Sequence, residues 1–123
     1  MADPQSLLFM MTHGPEEPEL ASMPMAMAVG ALRSGRAVAV GLQGPAVELA
    51  VHGRVERVAA PGFAPLGDLL AEFGRLGGRL LVCPASASGR GIDPAADLVA
   101  GAEMVVPGGF FTEMDAADRV LHY

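Results

Sequence analysis

The sequence predicts an α/β fold: a three-layer sandwich around a mostly parallel central sheet of about five strands. Two observations predict it. Short apolar runs, such as residues 6–12 and 79–83, alternate with segments of helical period along the chain. Glycine and proline, 16 and 10 of them, mark the junctions between these segments. Such alternation favours parallel strands joined by helices that cover both faces of the sheet.

Residues 6–12 form the first apolar run and read as a buried strand, with His13-Gly14-Pro15 as the loop after it. Pro18 can open a helix reaching about residue 32, and Pro24 inside it predicts a kink or a later start. Gly35 closes that helix, and 37–42 is the next strand. Gln43-Gly44-Pro45 turns into a short helix at about 46–51, followed by a loop over 52–62. In 65–76 the apolar residues Leu66, Leu69, Leu70, Phe73 and Leu76 share one helical face, and Gly77-Gly78 ends it. The strand 79–83 ends in Cys83, and 84–91 is a turn or the first turn of a helix. Asp93 is a good N-cap, with Pro94 at the first position of a short helix to about residue 100. A strand at 103–106, a turn at Pro107-Gly108-Gly109, a helix at 110–116 and a strand at 119–122 complete the reading.

A chain of 123 residues suits one domain, spanning residues 1–123. It is 51% hydrophobic and 18% charged, so part of its surface is expected to be apolar and hidden in an oligomer. A net charge of −6 with no basic block excludes a nucleic-acid partner. Every basic side chain is arginine, which reads as a biased genome. One cysteine excludes an intramolecular disulfide, and no Cys/His cluster has zinc spacing, so neither metal nor cofactor is expected. The start, Met1-Ala2-Asp3-Pro4, is acidic where a signal peptide is basic. The longest uncharged runs fall well short of the roughly 20 residues a membrane span needs. A soluble, cytoplasmic protein with a reduced thiol is expected.

In an open parallel sheet, ligands bind beyond the carboxyl ends of the strands. Those ends are His13-Gly14, Gln43-Gly44, Cys83-Pro84 and Pro107-Gly108-Gly109, which should share one edge. Cys83 there is either a reactive thiol, its pKa lowered by a helix N-terminus and Arg90, or a small buried apolar residue. His13 is either a base or hydrogen-bond donor at that edge or a solvated loop residue. Gly41-x-x-Gly44 and Gly108-Gly109 are either backbone anion cradles or ordinary turns. The methionines at 10, 11, 23, 25 and 27 fill the core or face a partner, and Glu16, Glu17 and Glu19 suit a helix start. His52 and His122 follow no catalytic or metal spacing.

Several stretches together resemble the DsrE/DsrF-like sulfur-relay family, which includes TusD-like sulfurtransferase subunits. They are Thr12-His13-Gly14-Pro15-Glu16-Glu17-Pro18-Glu19, Ser34-Gly35-Arg36-Ala37-Val38-Ala39-Val40 and Ala60-Pro61-Gly62-Phe63-Ala64-Pro65-Leu66. The most specific block is Val82-Cys83-Pro84-Ala85-Ser86-Ala87-Ser88-Gly89-Arg90-Gly91-Ile92, and Asp118-Arg119-Val120-Leu121-His122-Tyr123 is similar to the family's last strand. The resemblance implies a DsrE-like sandwich assembled as a homotrimer or hexamer. It also implies that Cys83 accepts a persulfide sulfur from a donor protein and passes it to an acceptor, Arg90 stabilising the anion. Many relatives carry a second cysteine where this chain has Ser86, so a CxxC cycle within one chain is excluded.

Two functions follow as expectations. The first is a persulfide carrier, with Cys83 catalytic and His13, Gly14, Arg90, Gly108 and Gly109 around the substrate. The alternative is a small-ligand-binding or assembly subunit in which Cys83 is passive. A nucleotide-binding enzyme would rest on fold analogy alone, with no phosphate motif.

Overall fold

Apolar runs become five strands in the computed structural model, which describes residues 5–123. The acidic start read at residues 1–4 lies outside the described residues. The strands are β1 (Ser6–Met11), β2 (Ala37–Leu42), β3 (Arg79–Val82), β4 (Ala102–Met104) and β5 (Arg119–His122). All neighbours pair in parallel, in the order β4-β3-β2-β1-β5. The helices are α1 (Pro18–Arg33), α2 (Leu66–Arg75), α3 (Pro84–Gly89) and α4 (Gly109–Ala116), with 3₁₀ segments at Gly44–Ala50 and Val55–Arg57. The expected α/β class is therefore present, and the sheet is parallel throughout.

Period-two alternation sorts each strand's side chains onto two faces. Phe9, Met11, Val38, Val40, Leu42, Leu80 and Val82 point into the main core, against Ala21, Met25, Ala28 and Val29 of α1 and Leu66 and Phe73 of α2. Leu8, Met10 and Leu81 are buried on the other face, where the Phe110 ring at the start of α4 lies over Gly41. That second face is thinly covered: no residue of α4 is buried, and Phe111 is 75% exposed.

Pro18 stands in the first turn of α1, where its missing N–H costs nothing. Pro24 sits buried inside the helix, which neither starts nor stops there. Of residues 46–51, expected to be helical, 46–50 belong to a 3₁₀ segment that begins at Gly44, and Val51 is extended.

Residues 93–100 depart from the expected helix. The Asp93 carboxylate accepts the Ala95 N–H at 2.9 Å, as a cap should, but the helix never propagates. Instead Leu98 bridges antiparallel to Val51, the Val99 N–H donates to the Ala50 carbonyl at 2.8 Å, and the His52 N–H donates to Asp97 at 2.9 Å. Pairing with a distant segment takes the backbone groups that a helix would have used.

No helix among the described residues is long and apolar enough to cross a membrane.

Candidate functional site

A parallel sheet brings the ends of all its strands to one edge. Here the register is nearly level: Met11 pairs with Leu42, Leu42 with Val82, and Val82 with Met104. The next residues, Thr12, Gln43, Cys83 and Val105, therefore leave the sheet side by side. The ladder runs one step beyond the strands: Gln43 N–H donates to Met11 at 3.1 Å, Cys83 N–H to Leu42 at 2.9 Å, and Val105 N–H to Val82 at 3.1 Å.

Cys83 is held by both of its backbone groups. Its N–H continues the ladder, and its carbonyl accepts the Ala87 N–H at 3.0 Å, the first bond of α3. It is the N-cap of that helix, with extended φ/ψ of −69° and 119°. Pro84 then occupies the first helical turn, where a fixed φ is pre-organised for the helix. The thiol is free and half-buried.

Burial is the largest single influence on that thiol and opposes ionisation. The Ser86 hydroxyl and the N–H groups of Ser86 and Ala85 favour the thiolate and outweigh burial, so the Cys83 pKa falls below its ordinary value. The Cys83 side chain makes no capping hydrogen bond.

Ser86 ties this corner to β2. The Gly44 N–H donates to Ser86 Oγ at 2.9 Å. Gly44 has φ +56°, a left-handed conformation that turns its N–H toward α3. Sequence reasoning placed Gly44 at the same sheet edge and Ser86 in the cysteine's block, but gave neither a bond to the other. The available signal was Cys-x-x-Ser itself, which is the spacing of an N-cap and its third helical residue.

The loop after β1 packs against the start of the 3₁₀ segment. Gly14 is buried there, and a Cβ on it would stand 2.3 Å from the Pro45 carbonyl oxygen. The Gly14 N–H donates to Glu16 Oε1 at 2.9 Å. His13 precedes it with Nδ1 buried and without a hydrogen-bond partner among the described residues.

Arg90 follows α3 and is exposed; its guanidinium donates to the Ser86 carbonyl at 3.2 Å. The groups that lower the Cys83 pKa are Ser86 and Ala85. Gly108, with φ 78°, caps α4, and Gly109 lines a groove with Leu81, Val105 and Thr112 over the second face of the sheet. Thus His13, Gly14, Gly44 and Cys83 lie at the ends of three adjacent strands, while Gly108 and Gly109 sit beyond β4 at the turn into α4.

A further groove of about 190 Å³ lies at the amino ends of the strands, beside Ser6, Ala37 and Arg79, on the opposite edge from Cys83. Among the described residues no three His, Cys, Asp or Glu side chains are grouped to hold a metal ion.

The DsrE/DsrF-like family matches residues 5–123. The chain is similar in structure to the ychN protein from E. coli, with a TM-score of 0.79 at 19% identity, covering 97% of this chain and 99% of that one. It is also similar to MTH1491, a protein of unknown function from Methanobacterium thermoautotrophicum, with a TM-score of 0.70 at 13% identity over 98% of this chain and 100% of that one. At these identities the likeness is one of fold. No curated protein matches the chain.

Proposed function

This chain belongs to the DsrE/DsrF-like family, which is associated with sulfur relay, and from that premise we propose that it carries a sulfane sulfur as a persulfide on Cys83. The observation that carries the reading is the thiol's setting. Cys83 caps a helix at the carboxyl edge of the sheet, and hydrogen-bond donors lower its pKa despite partial burial.

The chemistry is thiol exchange. The Cys83 thiolate attacks the outer sulfur of a donor persulfide, the donor's S–S bond breaks, and the donor leaves as a thiol. An acceptor thiolate then attacks the outer sulfur now on Cys83, and Cys83 leaves as a thiolate. Each step makes one S–S bond and breaks one, so no net oxidation occurs and no cofactor is required. A lowered pKa raises the thiolate fraction for the first step and makes Cys83 a better leaving group in the second. The thiol must stay reduced between cycles, which suits the cytoplasm.

His13 and Gly14 flank the approach to Cys83 in this reading, with Gly108 and Gly109 on the β4 side. Arg90 acts through the Ser86 carbonyl that holds its guanidinium. A homotrimer or hexamer belongs to the same proposal; the exposed Phe111 and Val106, at 75% and 72%, support an apolar contact.

Intact-mass spectrometry after incubation with a sulfane-sulfur donor tests the reading. The native chain gains one sulfur that reductant removes, and Cys83→Ser gains none. Equal loading of Cys83→Ser, or no loading of a native thiol that still alkylates, overturns it.

A further inference from the structure

We propose that the groove between α1 and β5 binds a small amphipathic anion, of the class of a medium-chain carboxylate, with its charge between Arg36 and Arg119. The groove has a volume of about 340 Å³, inside the range of small-ligand sites, roughly 300–1,000 Å³. Strand register builds its mouth. Leu7 of β1 pairs with Arg119 of β5 on one side, and Ser6 pairs with Ala37 of β2 on the other. Arg36 precedes Ala37, so the two arginines flank the start of β1, two strand spacings or roughly 10 Å apart at the backbone. Two long side chains on either side of that gap can close on one anion, and both residues line the groove.

Charge and shape agree on the ligand. Acidic side chains outnumber basic ones 14 to 8, yet among the described residues neither Arg36 nor Arg119 is ion-paired; the pairs use Arg33, Arg54, Arg75 and Arg79. Asp118, beside Arg119, instead accepts the Ser6 N–H at 2.8 Å. The Arg36 guanidinium donates to the neutral Ser34 hydroxyl at 2.7 Å, which leaves donors for a carboxylate. Behind this charged rim the floor is apolar, made by Leu7, Phe9 and Leu121. Met27 forms one wall; its sulfur accepts the Tyr123 hydroxyl at 3.1 Å, and the Tyr123 ring stacks on Phe9. Gly30 leaves the α1 side open, since a Cβ there would meet nothing within 4 Å. The groove beside Arg79 lacks this character, because Glu103 and Glu113 already neutralise that arginine. The site starts at the amino ends of β1 and β5, on the opposite edge from Cys83, and does not rest on the persulfide reading.

Tyr123 is the sole tyrosine and the chain has no tryptophan, so intrinsic fluorescence reports on this groove. The test titrates the full chain with octanoate, octylammonium and acetate, followed by that fluorescence and by calorimetry. Octanoate should bind saturably, one per chain. Acetate should bind at least about tenfold more weakly, and octylammonium should not bind in the same range. Arg36→Gln and Arg119→Gln should each weaken octanoate about tenfold, the size expected for losing a charge-assisted hydrogen bond. Gly30→Leu should fold at least as stably, because it replaces a glycine inside a helix, and should block the groove. No saturable binding of octanoate overturns the inference. So does octylammonium binding as tightly as octanoate, or native affinity in Gly30→Leu or in the double arginine variant. A native chain that self-associates, binds no octanoate and becomes monomeric as Gly30→Leu also overturns it, and gives the groove to a second copy.

Discussion

Gly14→Ala tests whether the β1 loop and the β2 loop really press together beside the thiol. A Cβ at Gly14 would lie 2.3 Å from the Pro45 carbonyl oxygen and 2.8 Å from its carbon. Ordinary contact begins at 3.4 Å, so the loops must part by about 1 Å. The obstacle is backbone, which no rotamer change can clear, and Pro45 is next to Gly44, whose N–H holds Ser86. Overpacking of this kind costs about 1–3 kcal/mol, and a backbone clash belongs near the upper end. A loss of about 3 kcal/mol lowers the Tm of a chain this long by on the order of 10 °C. Urea and thermal unfolding measure that cost, and the alkylation rate of the folded variant reports whether the Gly44–Ser86 bond has moved. A Gly14→Ala protein with native stability and native thiol reactivity would refute the packing argument.

Gly41→Ala meets side-chain atoms instead, Met10 Sδ and Phe110 Cε1 at 2.6 Å, so the cost falls to about 1–2 kcal/mol, and protease cleavage near α4 rises as the Phe110 ring lifts. Glu113→Gln weakens the paired bonds from Arg79 to α4, both 3.0 Å; this pair is partly exposed, so denaturation shows a loss of about 0.2–1 kcal/mol that shrinks at high salt. Cys83 has a depressed pKa in the folded state, so the unfolded chain binds its proton more tightly in the window between that lowered value and the ordinary 9.0. Stability gained from Cys83 therefore rises with pH across that window, is complete above it and is lost below it. The urea midpoint of native protein minus that of Cys83→Ser should grow as pH rises toward 9.0 and level off above it.

Where local pattern and tertiary need agree, the elements were legible in the chain. Residues 37–42, set between Gly35 and Gly44, and residues 119–122 are the strands expected, because such short runs have no competing use. The Leu66–Phe73 face was legible for the same reason, and so was the position of Cys83 at the end of a strand. The failures are non-local. Asp93 caps as expected, yet Leu98 and Val99 are claimed by Val51 and Ala50 across the structure. Ser86 reads in sequence only as the absence of a second cysteine, and only the fold brings the Gly44 N–H to its hydroxyl. Arg90 was legible as a cation near α3, but spacing alone could not say that its guanidinium would reach the Ser86 carbonyl.

The most direct measurement of the central claim is transfer in a single turnover. The protein is loaded with a sulfane-sulfur donor, freed of that donor, mixed with a protein thiol acceptor, and both masses are followed with time. The account predicts that one sulfur atom leaves Cys83 as one appears on the acceptor, and that Cys83→Ser neither loads nor delivers. A persulfide that forms on Cys83 but never passes to any thiol, or delivery by Cys83→Ser, would contradict it.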